Sequence, residues 1–308
     1  MTGRSLRWLA LCGLLLFALR PEATAAQAPV RVASKIDTEG ALLGNMMIAL
    51  LEANGIKTVN KLQLGPTNIV RSAIIAGEID LYPEYTGNGA VFFSMPSDPA
   101  WKNAKSGYEK VKELDRSANK LVWLQPAPAN NTWVISLHRD LAAANHLATM
   151  TDFAGWVRGG GAVKLAASAE FVESPAALPS FEKTYDFKLK PSQLIVLAGG
   201  DTAVTMRAAA EQISGANAAM AYGTDGALDS LGLVVMSDAK GAQVIYAPAP
   251  LVRGGVLEAY PKMAELLEPV FRSLDEAALR RLNARIAVGG EEAREVAADY
   301  LRTKGFLK

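Results

Sequence analysis

Apolar residues recur with two spacings along the chain, and each change of spacing marks a new element. Val30-Arg31-Val32-Ala33 predicts a strand. A helix follows, with Asp37 or Thr38 as N-cap and Glu39 in its first turn. Leu42, Leu43, Met46, Met47, Leu50 and Leu51 form its apolar face, and Asn54-Gly55 ends it. Val59 to Leu64 predicts a second strand. Pro66-Thr67 opens a second helix carrying Ile69, Val70, Ala73 and Ile74, which stops at Gly77. Ile79-Asp80-Leu81 is a third, short strand. Strand, helix, strand, helix, strand is the signature of an α/β fold built on parallel strands.

Beyond this point a charged, exposed helix is expected over 105–119 and a strand over 122–124. Pro126 and Pro128 then break the chain, and Thr132 to Leu137 begins a new alternation. Strands are predicted at 164–167, 194–197 and 218–222, with helices over 174–185 and 202–213 between them. Gln243 to Tyr246 leads to Pro248 and Pro250, and three helices follow near 258–273, 275–287 and 291–302. The two proline-rich points, near 126–130 and 247–250, predict crossings between two lobes. One lobe would hold residues 27–130 and 247–308, the other 131–246. Lobes joined by two segments can close like a jaw, and ligands of such folds sit at strand ends in the crevice.

Composition sharpens this picture in three ways. Arg4 and Arg7, the apolar run Trp8 to Leu19 and the small-x-small triplet Ala23-Thr24-Ala25 form a signal peptide over residues 1–25. Its apolar run is shorter than the roughly 20 residues that span a bilayer. Cleavage after Ala25 or Ala26 would send the protein to the periplasm. It would also remove Cys12, the single cysteine, so disulfides, thiol nucleophiles and cysteine metal sites are excluded from the mature chain. The remaining residues carry 29 basic and 30 acidic side chains, a balance that argues against nucleic acid.

Motifs for enzymes, metals and cofactors are sparse. His138 and His146 read as surface histidines, and no His-x-x-x-His or calcium loop occurs. The Gly-Gly runs at 159–161, 199–200, 254–255 and 289–290 lack phosphate-loop and dinucleotide endings and predict turns. No Gly-x-Ser-x-Gly elbow marks a hydrolase. Aromatic residues at predicted strand ends stand out instead: Tyr82 and Tyr85, Trp133, Tyr222 and Tyr246. Aromatic faces attract a quaternary ammonium, which has no N–H for a hydrogen-bonding pocket to grip. Lys35, ending Ala33-Ser34-Lys35, reads either as a solvated lysine or as a partner for a ligand carboxylate. A receptor for amino acids or organic anions would instead need an arginine clamp, for which Arg71 and Arg207 are the candidates.

Six segments carry a resemblance across the mature chain: VASKIDTEG, LGPTNIVRSAIIAGEIDLYPEYTGNGA, NNTWVISL, AASAEF, GGDTAVTMRAAAEQISGANAAMAYGTDG and YAPAPLVR. In this order they resemble the quaternary-amine binding proteins of ABC transporters, above all the OsmF-type osmoprotectant-binding branch. The resemblance implies a two-lobe, type II periplasmic-binding-protein fold with an aromatic box in the cleft and no cofactor. It also implies a monomer that hands glycine betaine, choline or a similar osmoprotectant to an inner-membrane permease. A ligand sensor for a signalling partner would share that cleft. The box positions match Tyr85, Trp133 (where many relatives carry Tyr), Tyr222 and Tyr246, and the carboxylate-binding lysine matches Lys35. Asn88, Asn131 and Thr132 flank these positions in the same motifs. The chain departs from the pattern at Gly40, where many relatives have Gln, at Asn88, where Thr is frequent, and after Phe171, where an Arg and an Asp-Gly are missing. These departures touch the carboxylate clamp more than the cage.

Overall fold

The computed structural model describes residues 28–197 and 202–308. The signal peptide over 1–25 and the Gly-Gly pair at 199–200 lie outside the described residues.

Among the described residues ten strands form two five-stranded sheets. The first contains β1 (Val30–Lys35), β2 (Thr58–Gly65), β3 (Leu81–Tyr85), β4 (Leu121–Trp123) and β10 (Pro248–Arg253), in the order β2-β1-β3-β10-β4. The second contains β5 (Trp133–His138), β6 (Leu165–Ser168), β7 (Leu194–Leu197), β8 (Ala218–Tyr222) and β9 (Leu233–Val235), in the order β7-β6-β8-β5-β9. β1 runs parallel to β2 and β3, and β6 runs parallel to β7 and β8, as helical crossovers require. Antiparallel pairs enter where the chain returns from the opposite sheet: β10 against β3 and β4, and β5 against β8 and β9. This is the α/β, two-lobe binding-protein architecture that the sequence predicts, with the parallel strands grouped at one side of each sheet.

The first helix, Thr38–Ala53, begins where β1 ends. Asp37 caps it by accepting the Gly40 amide at 2.7 Å. Its first turn lies so close to β1 that a Cβ on Gly40 would stand 2.9 Å from the Lys35 carbonyl oxygen. A glutamine at this position would therefore need the backbone to shift. Leu42, Leu43, Met46, Met47 and Leu51 are fully buried against the sheet and the C-terminal helices. On the other face of the first sheet, Val70, Ile74, Tyr82, Trp101 and Trp123 form a second core. The second lobe packs around Phe153, Phe171 and Phe181.

Two predictions changed in detail. Pro248 and Pro250, expected in a crossing between lobes, lie inside the first sheet. They belong to β10, a middle strand opposite Tyr85 and Pro83. The segment read as one helix near 258–273 is two, Gly254–Ala259 and Lys262–Arg272, separated at Tyr260-Pro261. The crossings themselves, residues 124–132 and 236–247, are laced together. The Asn131 amide donates to the Tyr246 carbonyl at 3.0 Å, the Tyr246 amide donates to Asn130 Oδ1 at 2.8 Å, and Thr132 Oγ1 donates to the Val244 carbonyl at 2.8 Å.

Candidate functional site

Parallel strands leave their carboxyl ends at one edge of a sheet, and in this molecule the two such edges face each other across a cavity of about 760 Å³. β1 delivers Lys35, β3 delivers Tyr85, β5 opens on Trp133, β8 delivers Tyr222, and the two crossings deliver Asn131, Thr132 and Tyr246. Asn88 follows β3 in a short helical turn. The eight side chains that the resemblance points to line this one cavity, while Tyr82, the other strand-end tyrosine of β3, is buried in the core of the first lobe.

The aromatic residues differ in how they are held. Trp133 and Tyr222 pair across β5 and β8 and lie nearly parallel, with ring centroids 6.4 Å apart and planes at 18°. Phe171 meets Trp133 edge-on and fixes it from below. Tyr85 is only 5% exposed, and its hydroxyl donates to Glu39 Oε1 at 2.8 Å. Burial raises the phenol pKa of Tyr222 and of Tyr246, and that of Tyr85 well above the usual range, where the Glu39 carboxylate adds to the effect. All three rings therefore stay neutral, with their electron-rich faces intact.

Lys35 is 7% exposed, so it is no solvated surface lysine. Its ammonium donates to Glu84 Oε1 at 2.6 Å and lies 4.5 Å from the centre of the Tyr85 ring. Glu84, wholly buried, also accepts from the Tyr82 hydroxyl at 2.8 Å, the Tyr85 amide at 2.6 Å and Asn88 Nδ2 at 2.7 Å. The lysine charge is thus already matched within the protein, and the Asn88 amide is likewise occupied.

The cavity wall also holds residues that sequence reasoning passed over. Asp37, Glu39, Glu170 and Asp225 give it an acidic character, and Lys35 is the one lysine or arginine among its described lining residues. Glu39 was visible in the sequence only as a first-turn acid, for which the helix dipole is sufficient reason. Asn283 comes from the Glu276–Ala287 helix and donates both to Glu39 Oε2 at 2.8 Å and to the Thr224 carbonyl at 2.9 Å. No local pattern announces a contact 244 residues away in sequence. The loop 223–226 of the second lobe docks on this helix so tightly that a Cβ on Gly226 would lie 2.2 Å from the Ala284 amide nitrogen. Arg280 closes the same contact by donating to the Gly223 carbonyl at 2.6 Å.

The two arginines considered as a clamp are elsewhere. Arg71 makes a buried two-pronged pair with Asp115 and stacks on Phe92. Arg207 is exposed and bonded to Glu211. Among the described residues no cluster of histidine, cysteine, aspartate and glutamate could hold a metal.

Comparison with known proteins gives the family of the chain. Residues 28–303 match the model of a family described as the substrate binding domain of ABC-type glycine betaine transport systems. A glycine betaine-binding protein of Escherichia coli (strain K12), YehZ, is 61% identical over 283 residues, covering 92% of this chain and 93% of that protein. The solved structure of apo YehZ superposes with a TM-score of 0.85 and covers 91% of this chain and 100% of that one. A structure described as a glycine betaine/carnitine/choline ABC transporter gives a TM-score of 0.78 at 18% identity, over 91% and 100% of the two chains, a likeness of fold alone. With the fold, the cavity and these matches in agreement, the chain belongs to the family of substrate-binding domains of ABC-type glycine betaine transport systems.

Proposed function

We propose that this protein is the exported solute-binding component of an ABC importer and that its interlobe cavity captures a small quaternary-ammonium osmolyte. One observation carries the reading: Tyr85, Trp133, Tyr222 and Tyr246 line a single cavity whose charged groups are mostly carboxylates. An aromatic face contributes roughly 0.5 to 2 kcal/mol to holding a cation, more when water is excluded. Carboxylates around the cage favour the same charge. The relative named for glycine betaine supplies the ligand class. Because Lys35 is held by Glu84, a ligand carboxylate would have to compete for it, which favours choline-like amines over betaines.

The mechanism is capture and closure. The lobes, residues 27–130 with 247–308 and residues 131–246, hinge at the laced crossings and admit ligand. Contacts from both lobes then stabilise the closed form, which a membrane permease reads. The protein works as a monomer in the periplasm after losing residues 1–25.

Titration calorimetry of the mature protein against choline, glycine betaine, carnitine, proline betaine and proline tests this. The comparison that decides is choline against its neutral carbon isostere, 3,3-dimethylbutan-1-ol. Choline is expected to bind at least tenfold more tightly, about 1.4 kcal/mol. Equal binding of the two, or a preference for proline, overturns the reading.

A further inference from the structure

Glu39 is 4% exposed, and its carboxylate is surrounded by neutral donors. Tyr85 Oη and Asn131 Nδ2 donate to Oε1 at 2.8 and 3.3 Å, Asn283 Nδ2 donates to Oε2 at 2.8 Å, and the Thr224 side chain is a further hydrogen-bond partner. These partners come from β3, a crossing, the Glu276–Ala287 helix and the second-lobe loop after β8. Among the described residues no lysine or arginine pairs with Glu39. Lys35 is taken by Glu84, and Arg280 by Glu276 and the Gly223 carbonyl. The other charged groups lining the cavity are acidic: Asp37 on the helix turn of Glu39, and Glu170 and Asp225 of the second lobe. A buried carboxylate without a counter-ion is costly, and it either holds a proton or waits for a cation.

We propose that Glu39 selects for cationic ligands in this cavity, acting through the Tyr85 phenol, so that a proton and a cationic ligand compete. The inference rests on the quaternary-amine reading above. The route is short. The Tyr85 hydroxyl donates to Glu39 while the Tyr85 ring lines the cavity. A phenol bonded to a carboxylate is polarised toward the ring, which deepens its negative face. The charge of Glu39 is thereby brought to the cation without direct contact, which makes Glu39 a positioning residue. Both protonation states have partners. Ionised, Glu39 accepts all the donors named. Protonated, it needs an acceptor, and Asn131 Oδ1 is buried with no partner, available after a half-turn of its amide. Burial pushes the Glu39 carboxyl above its usual range, which places the exchange nearer neutral pH, and the nearby Asp37 adds to the effect.

The test is choline affinity of the whole mature protein from pH 5 to pH 8, for wild type, Glu39→Gln, Tyr85→Phe and Tyr222→Phe. Wild-type Kd should rise as pH falls, by at most about tenfold per unit. Glu39→Gln should raise Kd at pH 8 on the order of tenfold and flatten the profile, while affinity for 3,3-dimethylbutan-1-ol stays as it was. Tyr85→Phe keeps the ring but cuts the link, so it should weaken choline more than Tyr222→Phe does. That comparison decides the matter if Glu39→Gln does not fold. If choline binds with a flat wild-type profile, or the two Phe variants are equal, Glu39 has no such role and the quaternary-amine reading stands. If no quaternary amine binds at any pH, both fall.

Discussion

At the scale of single residues, the cage makes a claim about faces rather than hydroxyls. Tyr222 is half-buried, stacked on Trp133, and its ring lines the cavity. Tyr222→Phe keeps that face and should be mild. Tyr222→Leu keeps similar apolar bulk without it and should weaken choline by about 1 kcal/mol or more, read by calorimetry. Glu39 makes a separate claim about stability. Its folded-state pKa is raised, so the folded protein binds its proton more tightly than the unfolded chain does. The stabilisation is present at low pH and is lost as pH rises through the raised value. The melting temperature of ligand-free Glu39→Gln, relative to wild type, should therefore improve as pH rises. The aromatic positions were legible in the sequence because each ends a strand or opens a crossing. Glu39 and Asn283 were not, because their meaning depends on a contact between distant parts of the chain.

Among the elements, most helices and strands followed from spacing alone. The first helix was found with its Asp37 cap, and the second stops at Gly77, which takes the left-handed conformation. The short β9 escaped because three residues, Leu233–Val235, are too few to show a period. β10 escaped because two prolines argue against a middle strand. They are accommodated because Pro248 and Pro250 use their carbonyls, which accept from Ala127 and Leu124 at 2.8 and 2.9 Å. The middle strands of the first sheet are also tied by charge. Asp80, just before β3, accepts from the Arg31 amide and guanidinium at 2.7 to 2.9 Å and from Arg253 at 3.2 Å. Burial pushes the Asp80 carboxyl up, but these arginine bonds outweigh it and hold it below the usual range. Its contribution is therefore present at neutral pH and lost as pH falls below about 4. Asp80→Asn should cost about 1 to 3 kcal/mol in urea unfolding at pH 7, with the difference from wild type narrowing in acid.

For the whole molecule, the two-lobe plan was legible because the strand-helix alternation stops and restarts at the prolines near 126–130. The cleft between the lobes was expected from that plan, but the docking of the loop 223–226 on the Glu276–Ala287 helix was not, since it joins parts of the chain far apart in sequence. If the leader works as its charge and small-x-small ending imply, mass spectrometry of periplasmic protein should find a chain beginning at Ala26 or Gln27. An intact Met1 species in the membrane would contradict export by cleavage. The position of β10 bears on how such a chain is made. The second sheet has all of its strands once residue 235 has emerged, while the first lacks a middle strand until residue 253. During synthesis β3 and β4 therefore wait with unpaired edges, while nearly half the protein is added between them and the strand that joins them. Tyr85 and Glu84 lie on that waiting edge, opposite Pro248 and Ala249. The last strand to arrive is thus the one that pairs the edge carrying Tyr85, and the wall is finished only when Asn283 follows it, so a nascent chain cannot present a finished site before its first lobe is whole.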